Sequence, residues 1–291
     1  MKKIYTIVFF ISITLATVAV VFIAVYGLKF GVDFKGGSVL ELNFKNGRPQ
    51  ISDMQALFSG ETKFKEIVIS SVGQNGISLK SGELTEQDHQ YILTKISTNF
   101  SLAGAEELKF DSVGPVIGRE LKSKSISAII IVLLAIIIYI AVVFRKLSRT
   151  ISGWAMGVAA IVALAHDVVI PIGIFSLLGH FYGVEISAVF VAAILTILGY
   201  SVSDTVVVFD RVRENIIKGR GSESEAFGEI VHRSILQTLT RSLNTTFTTL
   251  LSLVAIYLFG GESIKYFALA LIMGIFLGAY SSIFVASPLL I

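Results

Sequence analysis

LGYSVSDTVVVFDRVREN, Leu198–Asn215, ends an apolar run that begins at Ile186 and continues to Phe209 with a single carboxylate, Asp204, inside it. Crossing the hydrocarbon core of a bilayer takes roughly 20 such residues, so this run is a membrane-spanning helix by length. A charge there costs about 2.5–3.5 kcal/mol on insertion scales, so ionisable residues inside spans face the bundle interior and mark ion pathways. Asp204 is therefore the first candidate functional residue, and the fold follows from finding the helices around it.

Composition agrees with a membrane location: 54% of residues are apolar, 15% are charged and the mean hydropathy is +0.78. Such values lie far outside the soluble average. Charge-free runs at 4–28, 125–144, 242–261 and 266–291 each match one crossing, and two further spans at 151–178 and 184–209 carry His166 and Asp167 in the first and Glu185 and Asp204 in the second. Six spans result. The first is too long for the roughly 7–15-residue apolar core of a signal peptide and is read as retained. With no cysteine in the chain, no disulfide or thiolate metal site is expected, and no cofactor is called for.

Lys2, Lys3, Arg145, Lys146, Arg149, Arg211, Arg213, Lys218, Arg220, Arg233 and Arg241 lie on one side of these spans, against Lys265 in the two short loops of the other. Basic residues in short loops stay in the cytoplasm, so both termini are expected there. The same bias accounts for the basic loops without nucleic acid as a partner. The 210–241 stretch, around GRGSESEA, reads as a polar, amphipathic cytoplasmic connector.

Residues 29–124, on the far side, carry twelve basic and twelve acidic residues and are the only segment in which a water-exposed fold fits. SVLELNF (Ser38–Phe44) alternates like a strand, Ser52 is a suitable N-cap for a helix through ISDMQALF, and KEIVISSV (Lys65–Val72) again alternates. Asn75-Gly76 is a hairpin signal before ISLK, Thr85 with Asp88 opens a helix to about Phe100, and ELKFDSV (Glu107–Val113) closes the set. The order βαββαβ predicts an α+β, ferredoxin-like domain between the first and second spans.

Several polar features remain inside the spans. Ser201 lies one turn before Asp204, while Arg241 begins the fifth span on a stripe continued by Thr245, Thr248, Thr249 and Ser252. Arg241 is the expected ion partner of Asp204. Burial and a nearby guanidinium act on a carboxylate in opposite senses, as an ion-coupling site requires; a static pair that fixes helix register is the plainer alternative. His166 and Asp167 precede Pro171, which removes a helical donor from the Asp167 carbonyl and predicts a kink with a hydrated notch. The pair reads equally as a second proton-relay element or as two packed groups bonded to each other. Asp33–Gly37, DFKGG, joins the first span to the domain and reads as a turn, since the Lys-Ser/Thr ending of a phosphate loop is missing. Gly153 and Gly157 form a GxxxG packing signal.

GVDFKGG (Gly31–Gly37), VGPVIGREL (Val113–Leu121), ALAHDVVIPIGIFSLLG (Ala163–Gly179), GYSVSDTVVVFDRVREN (Gly199–Asn215) and TLTRSLNTTFTTL (Thr238–Leu250) together resemble the SecF subunits of the bacterial Sec protein-export machinery, of the SecD/SecF family and resistance-nodulation-division superfamily. The resemblance covers nearly the whole chain. It implies a six-helix half-transporter in the bacterial cytoplasmic membrane, with a periplasmic domain, paired with SecD beside the SecYEG channel. It also implies use of the proton gradient, or sodium in some bacteria, to draw an emerging preprotein outward. The family's intramembrane Asp and Arg fall on Asp204 and Arg241, and its His-Asp pair on His166 and Asp167. Ser201 and Thr245 are added as candidate relay groups, and Asp33, Gly36 and Gly37 as a periplasmic hinge. Ser203 stands where many members carry Asn, and the sequence stops at Ile291, ahead of the short basic tail of most members. On this reading the chain is no enzyme. Rival readings are an intramembrane aspartyl protease with Asp167 and Asp204 as its dyad, which lacks the GxGD pattern, a non-transporting scaffold subunit and a small-molecule efflux pump.

Overall fold

The computed structural model describes residues 3–64, 67–144, 153–218 and 226–291. The chain divides into a helical unit, Met1–Lys29 with Ile126–Ile291, and an α/β unit, Phe30–Ser125. Among the described residues, six helices are long and apolar enough to cross a membrane. They are α1 (Lys3–Tyr26), α5 (Pro115–Val143), α6 (Gly153–Tyr182), α7 (Ala188–Lys218), α8 (Phe227–Phe259) and α9 (Glu262–Ser281). After α9 the chain widens into a π-helical turn, Ser282–Ala286, and then tightens into a 3-10 turn, Pro288–Leu290.

Helix ends depart from the hydropathy boundaries wherever amphipathic residues extend a span. Helix α5 starts at Pro115 rather than 125, because proline suits the first helical position, where an N–H has no intrahelical partner. The expected connector at 210–241 is largely helix: α7 runs to Lys218 and α8 begins at Phe227, with 219–225 outside the described residues. The cause is a stripe at helical spacing. Val208, Val212 and Ile216 of α7 bury against Val231 and Ile235 of α8, with Tyr5 and Ile283 completing the cluster.

Small residues set the approach of the helices. A Cβ on Gly173 would lie 2.6 Å from the Ala19 Cα, so α6 and α1 pack backbone to backbone there. On α9, a Cβ at Gly274 would meet the Ile197 side chain at 2.2 Å and one at Gly278 the Ser201 Cβ at 2.9 Å. These two glycines, four residues apart, seat α9 closely on α7, as small-xxx-small pairs do in membranes. Gly157 also touches another helix, its Cβ position lying 3.5 Å from the Ile137 carbonyl oxygen. Helix α6 continues through the buried Pro171 to Tyr182.

The α/β unit has the predicted βαββαβ order: β1 (Gly37–Phe44), α3 (Ile51–Ser59), β2 (Val68–Val72), β3 (Gly76–Ser81), α4 (Glu86–Asn99) and β4 (Ala105–Val113). Its sheet order is β2-β3-β1-β4, with every neighbouring pair antiparallel. Leu40, Leu42 and Phe44 of β1 and Ile77 and Leu79 of β3 bury against Met54 and Phe58 of α3 and Ile92 and Ile96 of α4. Burying each such side chain contributes about 1.5–3 kcal/mol, and this cluster is the core of the unit. Edge strand β4 carries Glu106, Glu107, Lys109 and Asp111, charges that discourage pairing with another edge.

Local chemistry confirms the N-cap of α4 and corrects two details. Thr85 caps α4 in a capping box, accepting from the Asp88 N–H while Asp88 accepts from the Thr85 N–H at 3.1 Å. Ser52 is not a cap: α3 begins at Ile51 after Gln50, which places Ser52 inside the first turn. The hairpin turn is not at Asn75-Gly76 either, since Val72 pairs with Gly76 and the bend falls on residues 73–75, with Gly73 at φ 58°.

The DFKGG segment is a turn with a packing role. A four-residue helix, α2 (Val32–Lys35), ends where the Gly36 N–H donates to the Val32 carbonyl at 2.8 Å. Gly36 has φ 82° and ψ 160°, a region essentially reserved for glycine. A Cβ there would lie 2.6 Å from the Pro115 Cα, and one on Gly37 2.6 Å from the Ser81 carbonyl oxygen. A Cβ on Gly118, one turn into α5, would lie 3.0–3.1 Å from the Gly36 and Phe34 backbone. GVDFKGG and VGPVIGREL are thus two halves of one contact.

Candidate ion-coupling site

The helical unit gathers its polar side chains around two carboxylates. Asp167, on α6, is fully buried: its Oδ2 accepts from Ser201 Oγ of α7 and from Ser281 Oγ of α9, each at 2.6 Å. Its Oδ1 lies 3.0 Å from His166 Nδ1. The His166 ring stacks on Tyr280, 6.1 Å between centroids, and the Tyr280 hydroxyl reaches Ser12 of α1 at 2.8 Å. His166 Nε2 is buried without a protein partner among the described residues.

Asp204, on α7, is half-buried and bound from two other directions. Ser242 Oγ of α8 donates to Oδ1 at 2.5 Å and Ser282 Oγ donates to Oδ2 at 2.9 Å. Ser201 and Asp204 stand one turn apart on α7, while Ser281 and Ser282 are consecutive. Asp167 and Asp204 therefore head two adjacent hydrogen-bonded clusters, built from four segments, α6, α7, α8 and the end of α9. Charge-assisted hydrogen bonds of this kind are short and strong. The close α7–α9 approach at Gly274 and Gly278 brings the two serines into reach.

The sequence-predicted residues fall into three groups. Asp204, Asp167, His166 and Ser201 are brought together, with Ser201 bound to Asp167 rather than to Asp204. Arg241 and Thr245 are not. Arg241 is exposed, and among the described residues no ion pair joins it to Asp204; its neighbour Ser242, about 100° further round α8, takes that place. The buried face of α8 is Val231, Ile235, Thr238, Ser242 and Thr246, whereas Thr245, Thr248 and Ser252 are exposed and bond back to carbonyls of their own helix. Thr249 alone in that stripe reaches another helix, lying 3.2 Å from the Tyr200 hydroxyl. Asp33, Gly36 and Gly37 belong to the α/β unit, in the contact described above. Sequence reasoning missed Ser242, Ser281 and Ser282, for which the G-x-x-x-G at Gly274–Gly278 and the adjacent serines after it were the available signal.

These features define a polytopic membrane protein with a ferredoxin-like domain after its first span and two carboxylates, one buried and one half-buried, hydrogen-bonded between its helices. Residues 93–291 match the family model for the C-terminal part of protein-export membrane proteins SecD/SecF, and residues 21–47 match the SecD/SecF GG motif. The chain belongs to the SecD/SecF family of protein-export membrane proteins. It is 40% identical to the protein translocase subunit SecF of Thermobaculum terrenum, covering 97% of this chain and 90% of that one. A SecF from Anaerolinea thermophila is 36% identical, with the same coverage. Among solved structures it is similar to SecDF, a translocon-associated membrane protein from Thermus thermophilus, at 35% identity and a TM-score of 0.81. That match covers 98% of this chain and 37% of the SecDF chain, so the sequence spans little more than a third of that protein. SecDF in a super-membrane-facing form gives a TM-score of 0.67. A role as a translocase subunit in protein export follows from the family.

Proposed function

We propose that this chain is the SecF half of a SecD–SecF pair in the bacterial cytoplasmic membrane, coupling the proton gradient, or sodium in its place, to preprotein movement through SecYEG. The observation that carries the reading is Asp204 itself, an ionisable group inside a membrane helix, held by two serine hydroxyls with no cation paired to it among the described residues. Neutral donors place no fixed positive charge against the carboxyl, whereas a permanent ion pair would hold it ionised. His166 Nε2 and the hydroxyls of Thr205 and Thr246, buried without protein partners among the described residues, are the groups that a proton-bearing water file would engage next.

Arg241 and its stripe of hydroxyls support the pairing with SecD. A guanidinium and Thr245 on an exposed face of a spanning helix are costly against lipid and suit a second helical half. In this reading Arg241 acts across that interface, and a shift of α7 and α8 on protonation of Asp204 changes its distance from the carboxylate. Motion of α5 reaches β1 through the packed contact of Pro115 and Gly118 with Gly36, which gives the Asp33–Gly37 turn the part of a hinge. One charge crossing 100 mV releases about 2.3 kcal/mol, so repeated cycles per preprotein are required. Both termini lie in the cytoplasm and the α/β domain on the outer side, following the basic loops. The aspartyl protease reading loses ground because each carboxyl is engaged by its own serines and no hydrogen bond joins the two among the described residues.

The test is export of a reporter preprotein by membrane vesicles holding SecD, SecYEG and either the unaltered chain or Asp204→Asn, under imposed proton or sodium gradients. Loss of gradient-stimulated export in a variant that still assembles is the expected result. Equal stimulation removes the coupling role and favours a scaffold.

A further inference from the structure

The four serines around the two carboxylates are of two kinds. Ser201 Oγ and Ser242 Oγ each have one acceptor among the described residues, the carboxylate they bind. Ser281 and Ser282 each have two. Ser281 Oγ is 2.6 Å from Asp167 Oδ2 and 3.2 Å from the Gly278 carbonyl oxygen. Ser282 Oγ is 2.9 Å from Asp204 Oδ2 and 3.0 Å from the Ala279 carbonyl oxygen. Each carboxyl group is thus served by one serine of each kind, and all four serines are buried.

A hydroxyl carries one proton and two lone pairs. Facing an ionised carboxylate, Ser282 donates its proton to Oδ2. If that oxygen gains a proton, the acid O–H becomes the donor, Ser282 Oγ accepts from it, and the serine proton turns toward the Ala279 carbonyl. Only the rotation about Cβ–Oγ changes, and every polar atom keeps a partner. A donor without a second acceptor, such as Ser242, cannot reverse in this way, since its proton would point at no oxygen. Leaving a buried polar atom unpartnered is costly, so reversal matters for a group that must change charge inside the bundle. The turn from α-helix to π-helix begins at Ser282, and Ser287 Oγ holds the Ser282 carbonyl at 2.6 Å, fixing the backbone on which this rotor sits.

We propose that Ser281 and Ser282 are positioning residues, hydroxyls that reverse between donating to and accepting from Asp167 and Asp204, so that each carboxyl can lose and regain a proton within the membrane interior. The proposal rests on the reading of Asp204 as the group that changes protonation.

The test is difference infrared spectroscopy of the full chain with its SecD partner in bilayers, with carbon-13-labelled aspartate, recorded as pH is lowered. The Asp204 acid band is assigned by its loss in Asp204→Asn. Reversal predicts that Ser282→Ala moves the frequency of that band, because the acid loses its acceptor, and that Ser282→Thr, which keeps a hydroxyl, restores it. Ser282→Gly gives the same result as Ser282→Ala, a check where one variant packs poorly. An acid band that is present but unmoved in Ser282→Ala and Ser282→Gly overturns the proposal and leaves the coupling reading standing. No Asp204 acid band at any pH in the unaltered protein overturns both.

Discussion

Replacing Gly36 by alanine tests the contact that makes the two glycine-containing motifs one structural unit. Two costs add. The backbone at φ 82° and ψ 160° disfavours any Cβ by about 1–3 kcal/mol. The new methyl would also stand 2.6 Å from the Pro115 Cα, backbone that cannot swing aside, and overpacking of this kind costs about 1–3 kcal/mol more. The sum is at least about 2 kcal/mol, a factor of roughly 30 in the opening equilibrium of this region. Hydrogen exchange by mass spectrometry should therefore show β1 and the first turn of α5 exchanging roughly 30-fold faster than in the unaltered chain. Gly47→Ala separates the terms, because Gly47 has φ 102° but no atom within 4 Å of its Cβ position: strain remains without the clash. Gly60, at φ −83° with open space, should tolerate alanine without loss. Equal exchange in Gly36→Ala and Gly60→Ala would refute the contact.

Other consequences are as direct. Thr85→Ala removes the capping box of α4 and should cost about 1 kcal/mol, seen as faster exchange in the first turn of that helix. Lys63, 2.5 Å from Asp88, and the Thr85 hydroxyl hold the Asp88 carboxyl below its ordinary value. A depressed folded value gives stability that is present above the unfolded value and is lost as pH falls through the folded one, so the α/β domain should weaken below about pH 4, and less steeply in Asp88→Asn, by circular dichroism. In the bundle, Ser242→Ala should lower the thermal stability of the detergent-solubilised chain by about 1–3 kcal/mol because Asp204 Oδ1 loses its donor, while Arg241→Ala stays within about 0.5 kcal/mol. Similar losses in the two variants would restore Arg241 as the partner within this chain.

Much of the architecture was legible because it rests on signals local in sequence. Four charge-free runs and two apolar runs with a few ionisable residues located the six spans, alternation located the strands, and Thr85 with Asp88 located the start of α4 to the residue. The ends were less so: hydropathy marks where charges begin, whereas α7 and α8 persist past that point on the apolar stripe of Val212, Ile216, Val231 and Ile235. Asp204 was found because a carboxylate among apolar residues is rare. Its partners were not, because serines are common in membrane helices and which of two neighbours faces inward depends on helical phase. Arg241 carries the more conspicuous chemistry, yet one step along α8 decides that Ser242 meets the carboxylate. DFKGG was legible as a turn, but its reason lies in Pro115 and Gly118, distant in sequence.

Proton entry during export gives the most direct measure of the central claim. Vesicles holding the chain with SecD and SecYEG, loaded with a pH-sensitive dye, should acidify inside as preprotein moves under an imposed proton gradient, and the change should vanish in Asp204→Asn. Undiminished acidification in that variant, with export intact, would contradict the assignment of this carboxyl as the group that carries the proton.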